Sequence, residues 1–235
     1  MPIKTSSLKN QMTGTVSPTF AGARDATSGT VGTGGSGGVP TSFPTAIKYS
    51  KVAGGRGNQI SINRFYIEFD TSDISVTPAD ATLQIPGSTN SSADFFAVKA
   101  TFSDGTIANG DFDAIDGWSA GVDNSSNVTK YSDEVETFST SGFNDIALTS
   151  AALSDMVSED RFKICLIQAE NDLANVAGGG VIHKTGFWRT TNTIHLDYTE
   201  GTAGFGHKTI GVASANIGKI SGVATANIGK VIGVD

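Results

Sequence analysis

Short stretches in which apolar and polar residues alternate run through the middle of the chain. In residues 64–70, Phe65, Ile67 and Phe69 fall on one face of an extended chain and the intervening residues fall on the other. The same two-residue period recurs at residues 81–85, 96–102, 162–166 and 194–198. Sequences rich in Gly, Asn, Asp and Ser, typical of turns, separate these stretches. Many short strands without intervening helices predict an all-β, antiparallel sandwich.

One segment breaks the two-residue period. Between Leu148 and Val157 the apolar residues recur with helical spacing, and Thr149 or Ser150 is available as an N-cap. We therefore expect one or two helical turns that close one end of the sandwich.

Composition divides the chain into three regions. Residues 1–40 are rich in Ser, Thr and Gly, so we expect a flexible N-terminal arm or linker. Its glycines at 32, 34 and 37 match the phosphate-binding pattern G-x-G-x-x-G, but without a preceding strand and a following helix the match reflects composition. Residues 41–200 carry the alternating stretches and form the predicted sandwich. Residues 201–235, hereafter the C-terminal arm, contain a repeat.

The repeat has a period of eleven residues. The sequence GVASANIGKIS at 211–221 recurs as GVATANIGKVI at 222–232. Each glycine would cost about 0.8–1 kcal/mol relative to Ala inside a helix, so extended structure is the better prediction. Because the period is odd, a continuous strand would turn equivalent side chains to opposite faces. A bend near the glycines is therefore expected in each copy.

The C-terminal arm is basic, whereas the rest of the chain is acidic. Three lysines against one aspartate give the arm a charge of +2; the whole chain carries −7, so the remainder carries −9. The arm is too short to bury its own strand edges, so we expect it to pair with its own body or with a neighbouring copy. A disordered low-complexity tail is the alternative. The predicted anchors of the arm are Val212, Ile217, Lys219, Ile220, Val223, Ile228, Lys230 and Val231.

Charge and composition also narrow the classes of partner. With 16 basic against 23 acidic side chains, the chain lacks the basic footprint of a nucleic-acid-binding protein. No apolar run approaches the ~20 residues that span a bilayer, and the first residues lack the apolar segment of an export signal. We therefore expect neither a nucleic acid nor a membrane as partner, and assembly in the cytoplasm. The single cysteine, Cys165, is predicted to be a packed, unreactive thiol.

Two kinds of side chain could carry metal chemistry. Asp104, Asp111, Asp113 and Asp116 offer oxygen ligands of the kind that Ca²⁺ accepts, although their spacing is not that of an EF-hand loop. Solvated turn aspartates are the favoured interpretation, calcium is the minor one, and no other cofactor is expected. The three histidines lack metal-binding spacing and are interpreted as structural.

Aromatic side chains beside hydrogen-bonding groups could bind a sugar. The candidates for glycan contact are Trp118, Phe187, Trp188 and Arg189. The alternative is that both tryptophans pack at the rim of the sandwich. A polysaccharide-degrading enzyme on the same scaffold would need two carboxylates across a cleft, and no pair stands out among the many acidic residues.

Two adjoining segments resemble a known family. Residues 63–74, NRFYIEFDTSDI, followed by ADATLQI at 79–85, are similar to the start of DNRLRE-type jelly rolls. In those domains an R-x-x-(aromatic or aliphatic)-x-F-D-x-S-x-I strand precedes an A-T-L strand, and the fold is similar to that of carbohydrate-binding domains. The resemblance covers roughly residues 20–200. It implies an antiparallel jelly-roll β-sandwich, here with extended arms at both ends.

The repeat unit G-V-A-x-A-N-I-G-K-[IV] resembles the C-terminal repeats of virion proteins of tailed bacteriophages, particularly marine ones. This resemblance implies a non-enzymatic virion structural protein, either a capsid decoration or cement protein or an appendage subunit. Its expected partners are other copies of itself, in a symmetric oligomer such as a trimer, and other virion proteins. The alternative is a carbohydrate-binding, host-recognition module of a tail fibre, with host surface glycans as partners.

Overall fold

A computed structural model of the protein describes residues 2–32, 45–54, 57–87, 93–135, 142–188, 193–201, 219–220 and 223–224. The strands in chain order are β1 (Ile3–Thr5), β2 (Leu8–Gly14), β3 (Gly29–Val31), β4 (Thr45–Gly54), β5 (Gly57–Asp70), β6 (Asp80–Pro86), β7 (Phe95–Lys99), β8 (Phe143–Ala147), β9 (Arg161–Gln168), β10 (Ile182–Trp188), β11 (His195–Thr199), β12 (Lys219–Ile220) and β13 (Val223–Ala224). The helical segments are α1 (Phe20–Arg24), α2 (Ser150–Ser158), a 3₁₀ turn (Asn109–Asp111) and a π-helical turn (Ala169–Leu173).

The strand order is that of a jelly roll. One sheet runs β1-β11-β6-β8. In the other sheet β5 pairs with β9, β9 with β7, and β7 with residues 130–135 through bridges at Lys130 and Val135. Numbered 1–8 along the chain, these eight strands are β1, β5, β6, β7, residues 130–135, β8, β9 and β11. The second sheet is extended by β2 and β3 and by β4 and β10, which are left out of this count. The first sheet then has the order 1-8-3-6 and the second has the order 2-7-4-5. This is the jelly-roll order, so the predicted antiparallel β-sandwich is confirmed.

The main hydrophobic core lies between the two sheets. Phe65, Ile67 and Phe69 of β5 are buried there, as their alternation predicts. They share this core with apolar residues of the facing sheet, including Leu83 and Leu196. A large apolar side chain contributes about 1.5–3 kcal/mol when fully buried, so this layer is the main source of stability.

A second hydrophobic cluster covers the other face of β5, where the sequence pattern alone would place solvent. Tyr66 is buried there with Phe102, Phe112 and Cys165. The covering layer comes from α1 and from residues 100–128, which follow β7. Both faces of the central sheet are therefore buried, and polar residues of β5 point into a second interior.

Residues 2–32 differ from the predicted flexible arm because they belong to the body. β1 pairs with β11, and β2 pairs with β5 and β3. Leu8, Met12 and Ala23 are buried in the second cluster. The composition misleads because β2 buries Asn10 and Gly14 along with its apolar residues. The rest of the predicted arm, residues 33–40, lies outside the described residues.

The predicted helix is present as α2. It packs Ala152 and Met156 into the main core. Thr149 is the N-cap residue, but its hydroxyl donates to the backbone carbonyl of Lys130 at 2.9 Å. Lys99 reaches the helix from β7 and forms ion pairs with Asp155 and Glu159.

Candidate functional site

A buried ion pair lies at the centre of the second cluster. Arg64 and Asp172 are both fully buried and form two parallel hydrogen bonds, with Nε to Oδ2 at 2.9 Å and Nη2 to Oδ1 at 2.7 Å. Arg64 Nη1 donates to the carbonyl of Phe112 at 2.7 Å. Burial alone lowers the pKa of Arg64, but the charge and hydrogen bonds of Asp172 outweigh this effect and raise it. The guanidinium therefore remains charged.

Arg24 extends this network to residues 100–128, hereafter the covering loop. Its Nε donates to the carbonyl of Asp172 at 2.6 Å, and Nη2 donates to the carbonyl of Val122 at 2.8 Å. The guanidinium groups of Arg24 and Arg64 lie 4.4 and 4.0 Å from the ring centroid of Trp118. Charge-assisted hydrogen bonds thus join α1, β5, the π-helical turn and the covering loop.

Two buried acids beside the pair are held in their neutral form. Tyr66 donates its hydroxyl proton to the carbonyl of Phe112 at 2.7 Å, and burial raises its pKa well above the usual value. Burial also raises the pKa of Cys165 to about 12. Cys165 is a packed thiol, as predicted, and it remains protonated at neutral pH. These groups stabilise the body and are enclosed by it.

Among the described strands, β8 forms an edge of the sandwich on the side where residues 130–135 end the other sheet. β8 is the last strand of its sheet among the described residues. Leu148 N donates to Ala81 O at 2.9 Å. This bond shows which residues of β8 point their backbone N–H and C=O groups toward β6, because successive residues of a strand alternate in this respect. The backbone groups of Ile146 therefore face β6, and those of Asp145 and Ala147 face away from it.

A groove of about 380 Å³ follows this edge of β8. Ser132, Asp133, Glu134 and Val135 line one wall, and residues 145–147 of β8 line the other. At one end the walls are joined, since Thr149 N donates to Tyr131 O at 2.9 Å. The side chains of Asp133 and Asp145 are exposed. Neither forms an ion pair with a described residue, although Asp145 accepts a hydrogen bond from Gln84 at 3.0 Å.

The C-terminal arm leaves the body beside a second cavity. This cavity has a volume of about 260 Å³ and is lined by residues 73–76, Tyr198, Glu200 and Gly201. Beyond it, the structure describes two short strands of the repeat. β12 and β13 pair with each other, with Lys219 opposite Ala224 and Ile220 opposite Val223. The described pieces of the repeat, residues 219–220 and 223–224, are extended, as the glycine content predicts.

The structure describes only some of the predicted anchors of the C-terminal arm. The backbone of Lys219, Ile220 and Val223 lies in β12 and β13. The remaining predicted anchors, Val212, Ile217, Ile228, Lys230 and Val231, lie outside the described residues. Their docking role stays a prediction.

The residues predicted for glycan contact fall into two groups. Trp118 is half-buried on the second cluster and packs on the two guanidinium groups, so its ring contributes to the body. The backbone of Phe187 and Trp188 lies in β10, the outermost strand of its sheet in the described chain. Arg189 lies outside the described residues.

The aspartates considered as minor calcium candidates form separate contacts. Asp104 forms an ion pair with Lys163, Asp111 accepts from Ala108 N at 2.7 Å, and Asp116 accepts from the Thr129 hydroxyl at 2.6 Å. Asp113 lies in the same loop. Across the described residues there is no group of three His, Cys, Asp or Glu side chains placed to bind a metal ion. The closeness of these residues in sequence does not bring their carboxylates together, because Asp104, Asp111 and Asp116 each bond to a different partner.

Sequence reasoning missed the buried ion pair. It placed Arg64 on the polar face of its strand, and neither Arg24 nor Asp172 stood out. The unbroken apolar run Phe65-Tyr66-Ile67 beside Arg64 was the available signal, because a strand buried on both faces reads as a near-continuous hydrophobic run.

No protein-family model matches the chain, and no curated protein matches it. No helix in the described part of the chain is both long and apolar enough to cross a membrane. The fold and the geometry above therefore define the class of protein: a jelly-roll β-sandwich with a second interior layer and a repeat-bearing arm.

Proposed function

We propose that this chain is a non-enzymatic structural protein of a phage virion, displayed on the particle exterior as a capsid decoration protein or an appendage subunit. It docks onto other copies of itself and onto other virion proteins through the C-terminal arm. The all-β body provides a rigid, acidic surface, and binding is its activity.

The observation that carries this proposal is the short β12–β13 pair of the arm. A two-stranded antiparallel ribbon is marginally stable in water, and each of its strands keeps one outer edge. In the described residues this pair belongs to neither sheet of the sandwich. A repeat of this kind gains stability when a further strand or an apolar surface completes it.

The charge of the arm supports docking on an acidic surface. Its +2 stands against −9 on residues 1–200, so opposite potentials favour encounter between the arm of one copy and the body of another. The resemblance of the repeat to C-terminal repeats of phage virion proteins is the reason for proposing the particle exterior.

Removing the arm tests the proposal. Deletion of residues 207–235 leaves every strand of the two body sheets in place, so we expect a folded protein with an unchanged circular dichroism spectrum. We expect this protein to sediment as a monomer and to be missing from assembled particles. A second, shorter deletion of residues 222–232 removes β13 together with one copy of the repeat and keeps the other copy. Normal self-association and normal incorporation of the longer truncation would contradict the docking role.

A further inference from the structure

We propose that the groove along β8 is the acceptor site for the arm: β12 of a neighbouring copy adds as a strand to the outward-facing edge of β8. This inference deepens the proposed function and rests on it, since it assigns the surface on which the arm docks.

The backbone geometry fits strand addition. Asp145 and Ala147 direct their N–H and C=O groups away from β6 along the edge of β8, as the ladder requires. An added strand satisfies these groups with main-chain hydrogen bonds, which is how extended peptides bind sheet edges. β12 uses one of its own edges for β13 and keeps the other for this contact.

The side-chain pattern fits as well. Along β8 the exposed Asp145 is followed by the buried Ile146, and in β12 Lys219 is followed by Ile220. Because side chains alternate between the two faces of a sheet, a register that brings Lys219 beside Asp145 also brings Ile220 to the side of Ile146. Lys219 and Asp145 then lie on the outer face, and Ile220 lies on the core side, the face that also carries Ile146.

The charges of the two partners are complementary. Asp133 and Asp145 stand on opposite walls of the groove, and Glu134 lies beside Asp133. The repeat places a lysine at the same position of each copy, Lys219 and Lys230, so the sequence offers the groove two equivalent lysines. Opposite charges across a strand pair stabilise it by roughly 0.2–1 kcal/mol each.

The arm is long enough to reach a neighbour. Residues 202–218 connect the end of the body to β12, and an extended chain of that length spans up to about 55 Å. The groove and the arm belong to every copy, so each copy both donates an arm and accepts one. Such a head-to-tail contact closes into a ring when the rotation between copies permits it.

Zero-length crosslinking tests the site on the full chain. A carbodiimide joins a lysine amine to a carboxylate only where the two are in contact. With an equal mixture of ¹⁴N- and ¹⁵N-labelled protein, we expect mixed-label peptides that link Lys219 or Lys230 to Asp133 or Asp145. If every crosslinked peptide carries a single isotope label, the arm does not dock between copies. If the lysines are linked to other carboxylates, the groove is not the acceptor site.

Charge removal provides the second measurement. We expect the double variant Asp133→Asn, Asp145→Asn to weaken self-association about tenfold, equivalent to about 1.4 kcal/mol. Both side chains are exposed, so the fold is retained, which circular dichroism checks. The control is Asp104→Asn, an exposed aspartate that forms an ion pair with Lys163. Equal association constants for the two variants would overturn the groove assignment. If truncation at residue 207 still abolishes association in that case, the proposed function stands and only its acceptor site is wrong.

Discussion

At the scale of single residues, the body depends on a charged pair placed where an apolar pair would be expected. Arg64 and Asp172 are removed from water, and their desolvation is offset because every polar group of the pair finds a partner. The arginine also donates to Arg24 O at 3.3 Å, so it bridges three chain segments that are distant in sequence. A pair of this kind fixes how the covering layer sits on the sheet.

Removing one member of the pair should therefore be costly. We expect Asp172→Asn to lower the free energy of unfolding by about 3–5 kcal/mol, because it leaves a buried guanidinium without its counter-charge. The matched control is Asp104→Asn, which breaks the ion pair with Lys163 at a carboxylate that is 68% exposed. An exposed pair contributes about 0–1 kcal/mol. Urea unfolding of the two variants measures the difference; equal losses would show that the buried pair does not stabilise the body.

At the scale of secondary-structure elements, the period of apolar residues predicts the strands and the helix that follow a regular pattern. It does not predict a strand whose buried face contains polar residues or glycine. The alternation at 64–70 and 81–85 lies within β5 and β6, and the helical spacing after Leu148 corresponds to α2. β2 escaped detection because its buried face contains Asn10 and Gly14 beside Leu8 and Met12. Its place comes from pairing with β5, a long-range contact that local pattern does not contain.

The covering loop offers a direct comparison of two glycines. Gly117 and Gly121 have nearly equal positive φ values, 76° and 75°, a conformation that costs an L-residue roughly 1–2 kcal/mol. A Cβ on Gly117 would collide with the carbonyl oxygen of Asn127, whereas a Cβ on Gly121 would meet open space. We expect Gly121→Ala to cost about 1–2 kcal/mol and Gly117→Ala roughly 2–5 kcal/mol, because steric overlap adds to the backbone strain.

Thermal unfolding measures the stability of both glycine variants. The difference between their melting temperatures reports the steric overlap between residue 117 and the carbonyl oxygen of Asn127. Similar melting temperatures would show that the backbone relaxes around the new Cβ. A large loss for Gly121→Ala would instead show that the conformation alone limits the loop.

At the scale of the whole molecule, the candidate site could be predicted in part. The basic repeat and the acidic remainder of the chain are evident from composition. The residues of the arm that are proposed to dock, including Lys219 and Ile220, were therefore predicted from the sequence. Its proposed acceptor was not, because the groove forms only when β8 and residues 130–135, which lie in different sheets, come close together in the fold. No motif or spacing in the sequence distinguishes Asp133 and Asp145 from the other acidic residues.

If the C-terminal arm docks through charge, self-association should depend on salt. Raising NaCl from about 0.1 M to about 1 M shortens the screening length from about 10 Å to about 3 Å, which weakens steering of the +2 arm toward a body of −9. We expect the association rate to fall at least several-fold and the dissociation rate to change less, since main-chain and apolar contacts hold the docked arm. Stopped-flow mixing of fluorescently labelled copies measures both rates. The double variant Lys219→Gln, Lys230→Gln is the control and should associate slowly at either salt concentration. A wild-type association rate that is independent of salt would show that apolar contacts alone bring the arm to its partner.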